Sequence, residues 1–96
     1  MLRDLQAGTL LIVNTRHSTY RIMVLDGPGQ RILVSGGPFE TGTEVRADGA
    51  TAGGSMLKTG WIGIGLRLEL THGQRRILTS RVQSIDISVP PSSRVS

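Results

Sequence analysis

A chain of 96 residues without cysteine is sized for one small domain, and excludes a disulfide framework or a thiolate metal site. The formal charge of +4 is unevenly placed: residues 1–48 hold five arginines against five acids, and residues 49–96 hold six cations against two. No run approaches the roughly 20 apolar residues of a membrane-crossing helix, and the opening Met1–Ala7 has the wrong polarity for a signal peptide, so a cytoplasmic protein is expected.

The first predicted strand covers about residues 9–14, and Asn14 to Thr19 reverses the chain. Tyr20–Leu25 and Arg31–Val34 then flank Asp26-Gly27-Pro28-Gly29-Gln30, where proline and glycine supply the dihedrals of a tight turn. A short strand is expected near Thr43–Asp48, followed by the glycine-rich loop Gly53–Gly60. In Trp61–Leu70, Ile62, Ile64, Leu66, Leu68 and Leu70 alternate with Trp61, Gly63, Gly65, Arg67 and Glu69; this period of two predicts a long strand with one dry side. The turn Thr71-His72-Gly73-Gln74 leads to a strand at Arg75–Thr79, pairing Leu70 with Arg75, Glu69 with Arg76 and Leu68 with Ile77. That register makes Glu69–Arg76 an exposed cross-strand ion pair worth about 0.2–1 kcal/mol. In the last strand, Arg81–Ser88, Val82 breaks parity with Ile85 and Ile87, which calls for a bulge around Gln83-Ser84. Residues 89–96 read as a flexible tail, leaving residues 1–88 as the domain.

Six to seven short antiparallel strands with glycine-rich turns predict an all-β fold, a small partly open β-barrel of the SH3/Sm-like kind. Several strands are apolar on both faces. Leu10 to Val13 are apolar throughout, and strict alternation places Ile22, Val24 and Leu33 on one face of the second hairpin, with Met23, Leu25, Ile32 and Val34 on the other. A lone barrel needs one apolar face per strand, so a homo-oligomer is expected.

Motifs for catalysis lead nowhere. Ser55-x-x-Lys58 and Lys58-Thr59-Gly60 match triplets of serine β-lactamases, but one lysine would have to serve both, in a chain too short for that fold. Leu57 stands where a phosphate-binding loop needs glycine before Lys58. His17 and Ser18 are sequence neighbours that a strand points apart, and His72 sits in a turn, so neither a triad nor a metal site is expected. The expectation is no enzyme and no cofactor. Binding residues are sought instead at Trp61, whose parity puts its indole beside the bare Gly63 and Gly65 opposite the dry side, and at Lys58, Arg67, Arg75, Arg76 and Arg81 around the third hairpin.

Thr15-Arg16-His17-Ser18-Thr19-Tyr20, Gly36-Gly37-Pro38-Phe39, Gly53-Gly54-Ser55-Met56-Leu57-Lys58 and Thr79-Ser80-Arg81-Val82-Gln83-Ser84-Ile85 together resemble a family of small, uncharacterised bacterial β proteins over about residues 9–87. That resemblance implies a fold and no activity. The layout is also similar to Sm-like small barrels, although their Asp-x-x-x-Asn signature is missing after the second hairpin. The function expected is a non-catalytic, self-associating interaction module, with nucleic-acid binding through the basic third hairpin as the alternative.

Overall fold

The computed structural model describes residues 2–53 and 56–90. Gly54 and Ser55 of the expected loop, and residues 91–96 of the expected tail, lie outside the described residues. Seven strands follow one 3-10 turn at Leu2–Asp4: β1 Leu10–Thr15, β2 Thr19–Asp26, β3 Arg31–Gly36, β4 Phe39–Gly53, β5 Met56–Thr59, β6 Arg67–His72 and β7 Arg75–Ser88. All pairings are antiparallel. The sheet order β3-β2-β1-β7-β6-β4-β5 is closed by a further β3–β4 pairing, giving a barrel-like ring of six strands with β5 added. β3 takes the first part of one edge of β4 and β5 the second, while β6 takes the opposite edge. Among the described residues, no helix is long and apolar enough to cross a membrane.

The core follows the alternation of the strands. Leu11 and Val13 of β1, Ile22 and Val24 of β2, Ile32 and Val34 of β3, and Leu68 and Leu70 of β6 are all buried. A buried side chain of this kind contributes about 1.5–3 kcal/mol over leaving it in water. Leu2, on the 3-10 turn, joins the same core. Its N–H donates to the Gly60 carbonyl at 2.8 Å, and its own carbonyl lies so close to Gly27 that a methyl group there would sit 2.8 Å away. One hydrophobe on one turn has no period to read, so this plug is invisible to pattern analysis.

The short strand expected near Thr43–Asp48 is the 15-residue β4, and the expected loop Gly53–Gly60 holds β5. Three expectations about extent, faces and register need correction as well. First, Trp61–Leu66 is a loop, and β6 begins only at Arg67. Gly60 and Gly65 take φ of +72° and +84°, outside the β region, and Leu66 N–H turns back to the Gly63 carbonyl at 3.2 Å. Of the five alternating aliphatics, Leu68 and Leu70 are buried, Ile62 and Leu66 half-buried, and Ile64 is 67% exposed. Second, the faces of the second hairpin are regrouped. Val24 pairs with Ile32 and Asp26 with Arg31, so Leu25 is an extra, bulged residue. The bulge reverses the parity: Ile32 and Val34 join Ile22 and Val24 in the core, and Leu33 stands beside Met23 outside.

Third, the β6–β7 hairpin is shifted by two residues. His72 pairs with Arg75 across a two-residue Gly73-Gln74 turn, with Gly73 at φ +62°, as a type II′ turn prefers. Arg76 therefore opposes Thr71, and the Glu69–Arg76 ion pair becomes a diagonal one at 3.7 Å. A two-residue slip leaves every side chain on its original face, which is why Ile77 still packs against the core.

The bulge foreseen in the last strand is present. Asn14 pairs with Ser84 and Thr15 with Val82, leaving Gln83 unpaired. The expected strands at Arg75–Thr79 and Arg81–Ser88 are one continuous β7, bent where it passes from β6 to β1. A second irregularity at Thr79-Ser80 aids that bend, with the buried Thr79 hydroxyl accepting the Leu68 N–H at 3.0 Å.

Burial pushes the Tyr20 phenol above its ordinary value near 10, with a hydrogen bond to Ser18 working weakly the other way. The unfolded chain then loses this proton first, so the folded state is fully favoured below about pH 10 and loses that advantage as pH rises through the folded value. Urea midpoints should fall above pH 10 in the native chain and fall less in Tyr20→Phe. Equal declines would mean that Tyr20, the one tyrosine in the chain, does not drive the alkaline loss.

Candidate functional site: a polar pocket on the β4 bulge

Val45, Ala47 and Ala50 all face the core, although Ala47 and Ala50 are three positions apart. A bulge reconciles them: Ala47 pairs with Leu70 and Gly49 with Glu69, so Asp48 is the extra residue. The bulge turns Asp48 and Gly49 outward, opposite Glu69. Gln30 holds this distortion in place. It is the one non-glycine described residue at positive φ, +60°, a conformation that needs support from its surroundings. Its side-chain amide donates to the Ala47 and Asp48 carbonyls at 2.8 and 3.2 Å, and its own carbonyl accepts the Ala47 N–H at 2.8 Å. The Asp48 carbonyl also accepts the Gly60 N–H at 3.0 Å, tying the bulge to the loop after β5.

Above the bulge lies an open hollow of about 390 Å³. Its floor is Asp48, Glu69 and Thr71; Leu57 and Thr59 of β5 form one wall, and Arg46 and Arg76 the rim. Asp48 is only 8% exposed, and both its oxygens are engaged: Arg46 Nε donates to Oδ1 at 2.7 Å, and the Thr71 hydroxyl donates to Oδ2. The Glu69 side chain is 16% exposed and accepts no hydrogen bond from the described residues, only the 3.7 Å approach of Arg76. The guanidinium ends stay open, since the Arg46 and Arg76 side chains are 63% and 73% exposed.

Registers place Arg31, Arg46, Thr71 and Arg76 in one row across β3, β4, β6 and β7. Adjacent members are about 4.8 Å apart. Each arginine leans toward an acid on its flank: Arg31 on Glu44 at 2.7 Å, Arg46 on Asp48, Arg76 on Glu69. The hydrogen bond and charge of Arg31 hold the exposed Glu44 carboxyl below its ordinary range.

No family model, curated protein or solved structure matches this chain.

The residues singled out in the sequence are not brought together. Arg75 and Arg81 are six positions apart on β7, about 20 Å along a strand. Arg81 is opposite Arg67 and donates to the carbonyls of Gly65 and Ala52, at 2.8 and 3.4 Å, so it straps the loop to β4. Arg75 sits near Pro38 and Phe39 at the hairpin end, and Arg76 alone reaches the pocket. Trp61 is not on a strand face; its ring carries the Lys58 ammonium 4.7 Å from the centroid. The expected groove beside it is not formed as a strand surface: Leu66 crowds Gly63, where a methyl group would meet it at 3.2 Å, and Gly65 lies in the turn.

His17 and Ser18 enter a structural network with Thr15 and Ser80 through their backbone groups. Ser80 Oγ donates to Thr15 Oγ1 at 2.8 Å and accepts the His17 N–H at 3.2 Å, pinning the β1–β2 turn to the bend of β7. Asp48, Gln30, Arg46, Thr59 and Thr71 are not among the binding residues expected from the sequence. Their one signal is the broken parity of Val45, Ala47 and Ala50.

Proposed function

We propose that this protein is a non-catalytic interaction module that works as a pair of identical chains, meeting through the outer face of β1, β2 and β3. The observation that carries this reading is an apolar row, Leu10–Met23–Leu33, in register across the three strands, with Ile12 beside it. Met23 is 41% exposed, and the row borders a shallow groove of about 220 Å³. No described residue covers Met23 as core packing would require. Edge-to-edge pairing is a weaker route, because the exposed edge is the four-residue β5, which carries Lys58.

Charge specifies how two copies would meet. Asp86 and Arg21 pair in register with Ile12 from opposite sides, so their backbones stand about 9.6 Å apart with Ile12 between them, and they form no ion pair with each other. A two-fold axis parallel to β1 between the stacked faces lays Ile12 on Ile12 and brings each Arg21 over the other copy's Asp86. An axis across the strands would oppose arginine to arginine. The β6–β7 hairpin, with exposed Arg75 and Arg76, supports nucleic-acid binding as the second reading, weakened by the commitment of Arg81 to the loop.

Light scattering behind a sizing column should give a dimer for the native chain at high micromolar concentration and a monomer for Met23→Arg. Because Met23 is exposed, its replacement should shift stability by no more than about 0.5 kcal/mol. A native chain that elutes as a 10.3 kDa monomer would sink the proposal.

A further inference from the structure

The pocket on the β4 bulge lies on the β4–β6–β7 face, away from the proposed dimer face, and its chemistry is distinctive. It holds two carboxylates, Asp48 and Glu69, and two guanidinium groups, Arg46 and Arg76. Their charges cancel, so a ligand with net charge would leave an imbalance in a partly desolvated site, whereas a ligand with one charge of each sign would not. Asp48 is saturated by Arg46 and Thr71. Glu69 is not: its side chain is 16% exposed, accepts no hydrogen bond among the described residues, and is only approached by Arg76 at 3.7 Å. Its oxygens keep access to solvent, so a ligand's donor can reach them. Arg76, open to solvent, offers the complementary fork for a carboxylate a few ångströms away.

We propose that this pocket binds a free α-amino acid as its zwitterion, the ammonium donating to Glu69 and the carboxylate accepting from Arg76. The two ligand charges lie side by side, as Arg76 and Glu69 do, so the bound state alternates in sign. The Thr71 hydroxyl is committed to Asp48, which leaves the Thr59 hydroxyl and the Leu57 side chain to meet the ligand's side chain. A volume of about 390 Å³ suits a ligand of this size.

The test is an amide chemical-shift titration of the full chain with glycine and with L-leucine. L-leucinamide, which lacks the carboxylate, and N-acetyl-L-leucine, which lacks the ammonium, serve as one-charge controls. The amides of Glu69, Thr71 and Arg76 should move with both amino acids, and each control should bind about tenfold or more weakly, as losing one charged hydrogen bond requires. Glu69→Gln should lower leucine affinity by a similar factor while leaving the acetylated control unaffected, and Arg76→Gln should do the same while leaving leucinamide unaffected. Controls that bind as well as leucine, or no shifts at these amides at millimolar leucine, would overturn the proposal. Repeating the titration on Met23→Arg keeps the outcome separate from the state of association.

Discussion

Leu70→Ala should destabilise the fold by about 2–5 kcal/mol, the range for a large-to-small change in a packed core. Ile64→Ala, six residues earlier in the same alternating stretch, should change stability by no more than about 0.5 kcal/mol. Leu70 is fully buried between Ala47 and Ile77, its register partners on β4 and β7, while Ile64 projects from a turn with two thirds of its surface in water. The matching melting-temperature loss for Leu70→Ala exceeds about 8 °C in a domain of this size. Urea unfolding of the two variants side by side decides the matter. Equal losses would mean that Trp61–Leu66 packs as a strand after all.

Gly49→Ala should cost about 3 kcal/mol or more. At φ +152° a side chain is strained, and a methyl group there would overlap the Lys58 carbonyl oxygen across the β4–β5 ladder. The backbone must move, and the elements next to it are the Asp48 bulge and β5. The loss should therefore appear as lost amide-exchange protection at Lys58 and Gly60 as well as a lower urea midpoint. A variant with native stability and protection would show that the bulge does not depend on this glycine. Gly73→Ala is the useful comparison, since its φ of +62° strains a side chain but nothing lies near the added methyl.

Broken alternation is legible in the sequence at one bulge and not at another. Val82, Ile85 and Ile87 are strong hydrophobes, and their broken alternation announced the bulge at Gln83. Val45, Ala47 and Ala50 break alternation in the same way around Asp48, but alanine is too weak a marker of an inward face to raise the alarm. The pocket was missed with it. Gln30 gave no warning either, because its positive φ is imposed by the hydrogen bonds it makes to Ala47 and Asp48. Ile62 to Leu66 failed in the opposite direction: alternation with glycine reads as a strand, yet beyond Arg67 only Gly65 and Leu66 bond to a neighbouring strand, at Val82 of β7, and the chain then turns away.

By itself the sequence determined the all-β class, the single small core, most of the strands and turns, and the apolar excess on β1 to β3, since these follow from local dihedral preference and period-two patterning. Tertiary structure alone decided which of the aliphatics after Trp61 are buried, which face Leu33 occupies, and that Asp48, Glu69, Arg46 and Arg76 share one pocket. A single extra residue at Leu25 or Asp48 inverts every face that follows, and only the partner strand determines where that residue is absorbed. Charges scattered along the chain become neighbours by register across strands, a relation with no counterpart in sequence spacing.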